Sequence, residues 1–165
     1  GGLWQLVRQA TAQVVAHPLD CRRVAALEEQ AVLADRALLC FMKQAGVPAQ
    51  QQAELLDSQR QPRKHARSVP VDLLVEDGQE LDGLRFIHTP GHCPGHVCIR
   101  AGNILLSGDH ILPRTVPQTW PESVAAYTGL GHYLESLQKV RKLDGIELAL
   151  GGHEPPMRSV YKRID

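Results

Sequence analysis

The chain has 165 residues, 43% of them hydrophobic, 22% charged and 4% aromatic, which suits one compact domain and excludes a disordered or collagen-like chain. Eighteen Lys and Arg balance eighteen Asp and Glu. This zero formal charge disfavours nucleic acid as a dominant partner without excluding it. No apolar run approaches the roughly 20 residues that cross a bilayer, so no membrane partner is expected. Eight His and fourteen Gly are the unusual counts.

The N-terminus and the cysteines indicate a cytoplasmic protein. The first eight residues lack the charged start and the long apolar stretch of a signal peptide. A chain of this size folds without disulfides, and its cysteines form no CxxC pair. They are Cys21, Cys40, Cys93 and Cys98. We therefore expect reduced thiols and a cytoplasmic location.

The first part of the chain is predicted to be mostly helical. Apolar spacing predicts a helix over residues 3–9, and residues 13–17 favour a short strand that Pro18 ends. Ala, Leu, Glu, Gln and Arg dominate residues 21–45, which predicts one long helix ended by the following glycine and proline. A second helix is expected over residues 48–58, and a loop follows to Ser68.

The second part is predicted to be an antiparallel meander followed by a helix and a strand. Short apolar runs separated by Asp-Gly and Gly-Asn turn signals favour hairpins. These runs are 71–75, 79–81, 84–87, 97–100 and 103–106. Apolar residues spaced by three and four then predict a helix over residues 124–143, and residues 146–150 favour a buried strand.

Histidines and one aspartate are concentrated in three glycine-bearing segments that follow predicted strands. Segment 88–96 carries three imidazoles in nine residues. Ser107-Gly108-Asp109-His110 follows one strand, and Gly151-Gly152-His153-Glu154 follows another. Loops at the ends of strands can converge at one sheet edge, and imidazole with carboxylate is a ligand set that zinc and similar divalent ions prefer. The three segments together predict a metal site.

Taken singly, each of these residues has an ordinary structural interpretation. An isolated histidine is more often a hydrogen-bonded structural residue than a ligand, and this is our interpretation of His17, His65 and His132. An isolated Gly-Asp pair at a strand end, such as the one containing Asp109, is typical of a turn. Only the combination of the three segments favours metal binding.

The three motifs together resemble a known family. Thr89-Pro90-Gly91-His92 with Pro94-Gly95-His96, then Ser107-Gly108-Asp109, then Gly152-His153-Glu154, resemble the second half of the metallo-β-lactamase superfamily, close to the glyoxalase II-like hydrolases. The resemblance implies an α/β (α+β) protein with the αββα sandwich of that family. It also implies one or two metal ions at the sheet edges.

The resemblance assigns a role to each motif residue. His92 would bind the first metal, His153 the second, and Asp109 would bridge both as the catalytic carboxylate. Zinc is the expected metal, with iron or manganese as alternatives. The other histidines of the motifs would support the ligands without binding metal. They are His88, His96 and His110.

One defining motif of the family, HxHxDH, is absent from this sequence, in which His17 is the only histidine before His65. Family members commonly carry Gly-Gly and a helix after that motif, and this chain begins with Gly1-Gly2-Leu3. We therefore expect residues 1–165 to form a single metallo-β-lactamase-fold domain that is incomplete at its N-terminal side. Residues 19–60 would be a helical insertion within it.

By the resemblance, the absent HxHxDH motif would supply four further metal ligands, and their absence from this sequence leads to further expectations. Catalytic zinc normally has three protein ligands, and this chain offers two to each ion, so weak metal occupancy and an inactive polypeptide are expected. Sheet and helix faces left uncovered at the incomplete side would favour self-association.

The function implied is metal-dependent hydrolysis of a small thioester, lactone or other ester-like substrate. Arg114 could contact an anionic group of that substrate, and Trp120 an apolar one. Two alternatives stay open. The chain could be a non-catalytic remnant or interaction module of the same fold. It could also be an RNA-processing member, which the basic run over residues 60–67 favours.

Overall fold

The computed structural model describes residues 2–165. No helix in that range is long and apolar enough to cross a membrane. In chain order the elements are α1 (Gly2–Gln9), β1 (Val15–Ala16), α2 (Pro18–Ala25), α3 (Leu27–Gln44), α4 (Ala49–Arg60), a 3-10 turn (Gln61–Arg63), β2 (Leu73–Leu74), β3 (Glu80–Leu81), β4 (Leu84–His88), β5 (Val97–Ala101), β6 (Ile104–Gly108), α5 (Leu130–Arg141), β7 (Leu148–Gly151) and α6 (Val160–Ile164).

The main sheet has five strands in the order β3-β4-β5-β6-β7. Strands β3 to β6 pair antiparallel, which confirms the predicted meander over residues 79–106. The β3–β4 turn places Asp82 at φ 51° and Gly83 at φ 78°, and two left-handed residues are what a tight type I′ hairpin requires. Strand β7 pairs parallel with β6, so the C-terminal ends of both strands lie at the same edge of the sheet.

Residues 71–75 were predicted to belong to this meander, and that prediction was wrong. Strand β2 lies in a separate two-stranded sheet, where it pairs parallel with β1. The side chain of Asp72 stabilises this pairing by accepting a hydrogen bond from the backbone N–H of Val14 at 2.7 Å. Parallel strands require a long crossover, and the helices between residues 18 and 60 provide it.

The predicted long helix over residues 21–45 is in fact two helices, α2 and α3. The break is at Ala26, whose φ of −135° and ψ of 49° are not helical. Directly after it, the backbone N–H of Leu27 donates to Ser68 Oγ at 2.9 Å. This partner is 41 residues away in sequence, so helical periodicity alone could not predict the break.

The predicted helix over residues 124–143 was placed six residues too early, because α5 begins at Leu130. The preceding residues form a loop in which Tyr127 has φ 58° and Gly129 has φ 98°. The Gly129 N–H donates to the carbonyl of Gly91 at 3.2 Å. This bond attaches the loop before α5 to the histidine-rich loop between β4 and β5.

The core lies between the main sheet and helices α5 and α6. Its buried side chains come from four strands and loops as well as both helices. They are Ile87, Cys98, Leu105, Ile111, Val140, Ile146, Ala149, Met157 and Val160. Helix α1, by contrast, has no buried residue and leaves Leu3, Trp4 and Leu6 exposed. The mixture of helices and sheets agrees with the predicted α/β class.

Candidate metal centre

Three loops bring the predicted ligand residues to one edge of the main sheet. The parallel pairing of β6 and β7 places Gly108 opposite Gly151, so the residues that follow these strands are neighbours. The backbone N–H of Gly152 donates to the carbonyl of Gly108 at 2.8 Å, which holds the two strand ends together. Asp109 and His153 therefore leave the sheet side by side.

Asp109 lies between two imidazoles. Its Oδ2 is 3.6 Å from Nε2 of His92, and its Oδ1 is 3.6 Å from Nε2 of His153. Both separations are too long for a hydrogen bond. Two ligand atoms on one tetrahedral zinc, each about 2.0–2.1 Å from the ion, are about 3.4 Å apart. The donor types and their spacing thus fit one divalent ion between Asp109 and His92 and another between Asp109 and His153.

The ring of His92 is oriented by the loop that precedes α5. Its Nδ1–H donates to the backbone carbonyl of Gln118 at 2.8 Å. In the neutral ring this bond leaves the lone pair on Nε2, the nitrogen that faces Asp109. A metal-binding histidine usually has its second nitrogen held in this way. His153 is much less restrained, with 73% of its side chain exposed.

Each half of the candidate centre contains two of the predicted ligands. Within residues 2–165, no group of three or more His, Cys, Asp or Glu side chains surrounds one point in a way that could hold an ion. His92 with Asp109, and His153 with Asp109, are thus two side-chain pairs that share one carboxylate. Their assignment as metal ligands remains a prediction.

Gly152 leaves the space that the Asp109 carboxylate occupies. A Cβ atom built on Gly152 would overlap Asp109 Oδ1 and lie 3.4 Å from its Cγ. The carboxylate is the movable end of a side chain, so a substitution here displaces the Asp109 carboxylate before it disturbs the fold.

We predict that Gly152→Ala weakens Zn²⁺ binding by at least about tenfold while changing the urea midpoint little, because the added methyl displaces Asp109. Equilibrium dialysis and urea unfolding measure the two effects. Gly131→Ala is the matched control, since a Cβ on Gly131 meets nothing within 4 Å. Unchanged zinc affinity in Gly152→Ala would contradict the assignment of Asp109 as a ligand.

The partly buried His96 and the buried His110 lie together next to the candidate ligands. Their ring centroids are 5.8 Å apart, and His96 Nδ1 is 2.8 Å from Thr89 Oγ1. His110 is fully buried, and within residues 2–165 neither of its ring nitrogens has a hydrogen-bond partner. Burial, followed by the neighbouring imidazoles, lowers the pKa of His96 to about 3. Burial likewise lowers the pKa of His110 to about 4, so both rings are neutral at pH 7.

His88 stabilises the loop that carries His92 and does not face Asp109. Its Nε2–H donates to the Pro94 carbonyl at 2.8 Å. Its ring stacks on His17 at a centroid distance of 3.9 Å, and burial together with this neighbour lowers the pKa of His17. His17 also caps α2 by accepting the N–H of Leu19. The structural interpretation of His17 thus agrees with its position.

The two predicted substrate residues lie in different surroundings. Trp120 lines a cavity of about 610 Å³ that also reaches His92. Arg114 is exposed and does not line this cavity, and its backbone N–H donates to Glu154 at 2.7 Å. Sequence reasoning missed the role of the Gln118 carbonyl, because a backbone acceptor leaves no mark in the side-chain pattern.

The basic run near residue 60 is partly neutralised. Arg60 and Arg63 both bond to the carboxylate of Asp35, at 2.7 and 3.0 Å. Arg67 donates to the backbone carbonyls of Lys64 and Ala66. Since these arginines already have partners, the run offers less free positive charge for phosphate contacts than its sequence indicates.

The structure is an α/β protein in which His92, Asp109 and His153 lie together at the strand ends of the main sheet. Residues 1–153 match the sequence profile of the family described as "Metallo-beta-lactamase superfamily". The chain belongs to this superfamily, whose members are generally metal-dependent hydrolases. No curated protein matches the sequence.

Solved structures show the same fold. The metallo-beta-lactamase family protein TTHA1429 from Thermus thermophilus is 27% identical, with a TM-score of 0.66 over 93% of this chain and 50% of its own. TTHA1623, solved in a di-iron-bound form, is 21% identical, with a TM-score of 0.66 over 98% and 67%. The superfamily protein ST1585 from Sulfolobus tokodaii is 18% identical, with a TM-score of 0.59 over 98% and 60%. The chain spans about half the length of the first of these proteins.

Proposed function

We propose that this chain supplies His92, Asp109 and His153 to a metal-dependent hydrolase centre that cleaves an ester-type bond in a small thioester, lactone or ester. One observation carries the proposal: the Asp109 carboxylate lies between Nε2 of His92 and Nε2 of His153, at 3.6 Å from each. Imidazole and carboxylate favour zinc, with iron and manganese as alternatives.

In this proposal, residues around the centre act by holding the side chains of His92, Asp109 and His153 in fixed positions. The Gln118 carbonyl keeps His92 Nε2 directed at the centre, and the bond between Gly152 and Gly108 keeps the Asp109 and His153 loops in register. Asp109 adds a negative charge shared by both halves. A divalent ion bound here supplies Lewis acidity toward a carbonyl oxygen and makes water more acidic.

We also propose that the polypeptide of residues 1–165 hydrolyses such substrates poorly by itself. Catalytic zinc takes three protein ligands, whereas His92 with Asp109, and Asp109 with His153, provide two for each ion. Metal affinity and turnover should therefore rise when further nitrogen ligands are supplied from solution.

The test uses the purified chain with Zn²⁺, Fe²⁺ or Mn²⁺ and a panel of one p-nitrophenyl ester, one thioester and one lactone. We expect little turnover without additives, higher turnover with millimolar imidazole, and loss of that gain with a chelator or in Asp109→Asn. Turnover that ignores chelator and Asp109→Asn would contradict a metal-dependent centre. Rapid chelator-sensitive turnover without imidazole would contradict the predicted weakness of the chain alone. A chain that binds zinc with imidazole but hydrolyses nothing would favour a non-catalytic module.

A further inference from the structure

Helix α3 lines part of the cavity beside His92, mostly with apolar side chains and also with Gln30 and Asp35. Leu27, Ala31, Ala34 and Leu38 line it at spacings of four, three and four residues. This spacing places all four side chains on the same side of the helix. Two of the four are alanines, which leave open the space that larger apolar residues would fill.

The opposite wall is formed by the loop that precedes α5. Trp120, Val124 and Tyr127 line it, and His92 lines the same cavity. Tyr127 is held at φ 58°, a conformation that costs a bulky residue energy and is most often retained where the position matters. The same loop contains Gln118, whose carbonyl orients His92. The apolar wall and the candidate metal ligand are therefore positioned by one segment.

Both arginines that line the cavity, Arg23 and Arg63, have an acidic neighbour. Arg63 lies 3.0 Å from the carboxylate of Asp35, which is also bonded to Arg60, and Arg23 lies 3.5 Å from Asp20. Both cavity arginines therefore already contact a carboxylate, which leaves them less available to bind an anionic ligand. A volume of about 610 Å³ is in the range of small-molecule sites, which are mostly apolar.

We propose that this cavity is the subsite for an uncharged aliphatic arm of the substrate, an unbranched acyl chain whose reactive carbonyl lies at the His92 end. The inference rests on the proposed hydrolase function for the identity of the reacting bond. Binding of the aliphatic arm itself depends only on the apolar side chains of α3 and on the loop with Trp120. The substrate class is thus an acyl ester, acyl thioester or acyl lactone with an apolar tail.

The test measures binding without metal and without turnover. The sequence has two tryptophans, and Trp4→Phe leaves Trp120 as the only one, so its fluorescence reports on the cavity. This protein is titrated in chelator with 1-butanol, 1-hexanol and 1-octanol. We expect a saturable change at Trp120 and an affinity that rises about fourfold for each added methylene. No saturable change, or an octanol affinity equal to that of butanol, would overturn the proposal.

Filling the cavity gives the second arm of the test. Ala34→Phe should weaken octanol binding at least about tenfold. Ala53→Phe is the matched control, because Ala53 lies on the exposed surface of α4 and does not line the cavity. Unaltered octanol binding in Ala34→Phe would place the alcohol elsewhere and overturn the proposal. If Ala34→Phe does not fold, Ala126→Phe fills the cavity from the exposed loop wall and replaces it.

The outcome separates this inference from the proposed function. Alcohol binding that strengthens with alkyl length, together with no hydrolysis of any ester in the presence of Zn²⁺ and millimolar imidazole, would support the subsite and contradict the hydrolase. Metal-dependent hydrolysis of esters at a rate independent of acyl length, with no alcohol binding, would support the hydrolase and contradict the subsite.

Discussion

Asp109→Asn is expected to lower the Zn²⁺ affinity of this chain by at least about 100-fold. Loss of a group that only orients a metal ligand typically lowers metal affinity 10- to 100-fold. Asp109 faces Nε2 of both histidines directly, so its loss should have a larger effect. An amide has the same shape but carries no charge and is a poorer ligand, so both half-sites should weaken together. Equilibrium dialysis followed by metal analysis measures the bound zinc.

The single histidine variants sharpen this test. His92→Asn and His153→Asn should each weaken one half-site and leave the other pair in place. Asp144→Asn changes an exposed aspartate that is not one of the predicted ligands and should leave zinc binding unchanged. A loss in Asp109→Asn no larger than in Asp144→Asn would exclude Asp109 as the shared ligand.

The second large effect is an acid-induced loss of stability in the metal-free chain. His96 and His110 have folded-state pKa values of about 3 and about 4, whereas an unfolded histidine titrates near 6.5. Between these values the unfolded chain binds more protons than the folded chain, so the free energy of unfolding falls as the pH falls below about 6.5. At about pH 5 each of the two histidines should have lowered the free energy of unfolding by about 2 kcal/mol, a large share of a typical total of 5–15 kcal/mol.

Urea unfolding in chelator at about pH 7.5, 6 and 5 tests this expectation. His110→Phe should remove roughly half of the pH effect, because the phenyl ring cannot take up a proton. It should also be neutral or stabilising at pH 7.5, since neither ring nitrogen of His110 has a partner to lose. His65→Phe controls for the loss of a histidine on an exposed loop and should leave the pH dependence unchanged. A pH dependence in His110→Phe equal to that of the wild type would contradict the assignment.

Local signals predicted the main sheet well and the helix boundaries less well. Short apolar runs separated by Asp-Gly and Gly-Asn turn signals were sufficient to predict the meander over residues 79–106, because a tight hairpin depends on neighbouring residues only. The break at Ala26 depends on Ser68, and the late start of α5 accompanies the bond from Gly129 to Gly91. Both errors came from contacts between residues distant in sequence.

By itself the sequence determined the family and three motif residues, because glycine-flanked His92, Asp109 and His153 follow predicted strands in a recognisable order. Their assignment as metal ligands stays a prediction. Only the tertiary structure decided that Asp109 faces both imidazoles, that Gln118 orients His92, and that α3 lines a cavity that His92 also lines. The physical reason is that these relations depend on the parallel pairing of β6 with β7 and on loop contacts, which residue spacing along the chain does not encode.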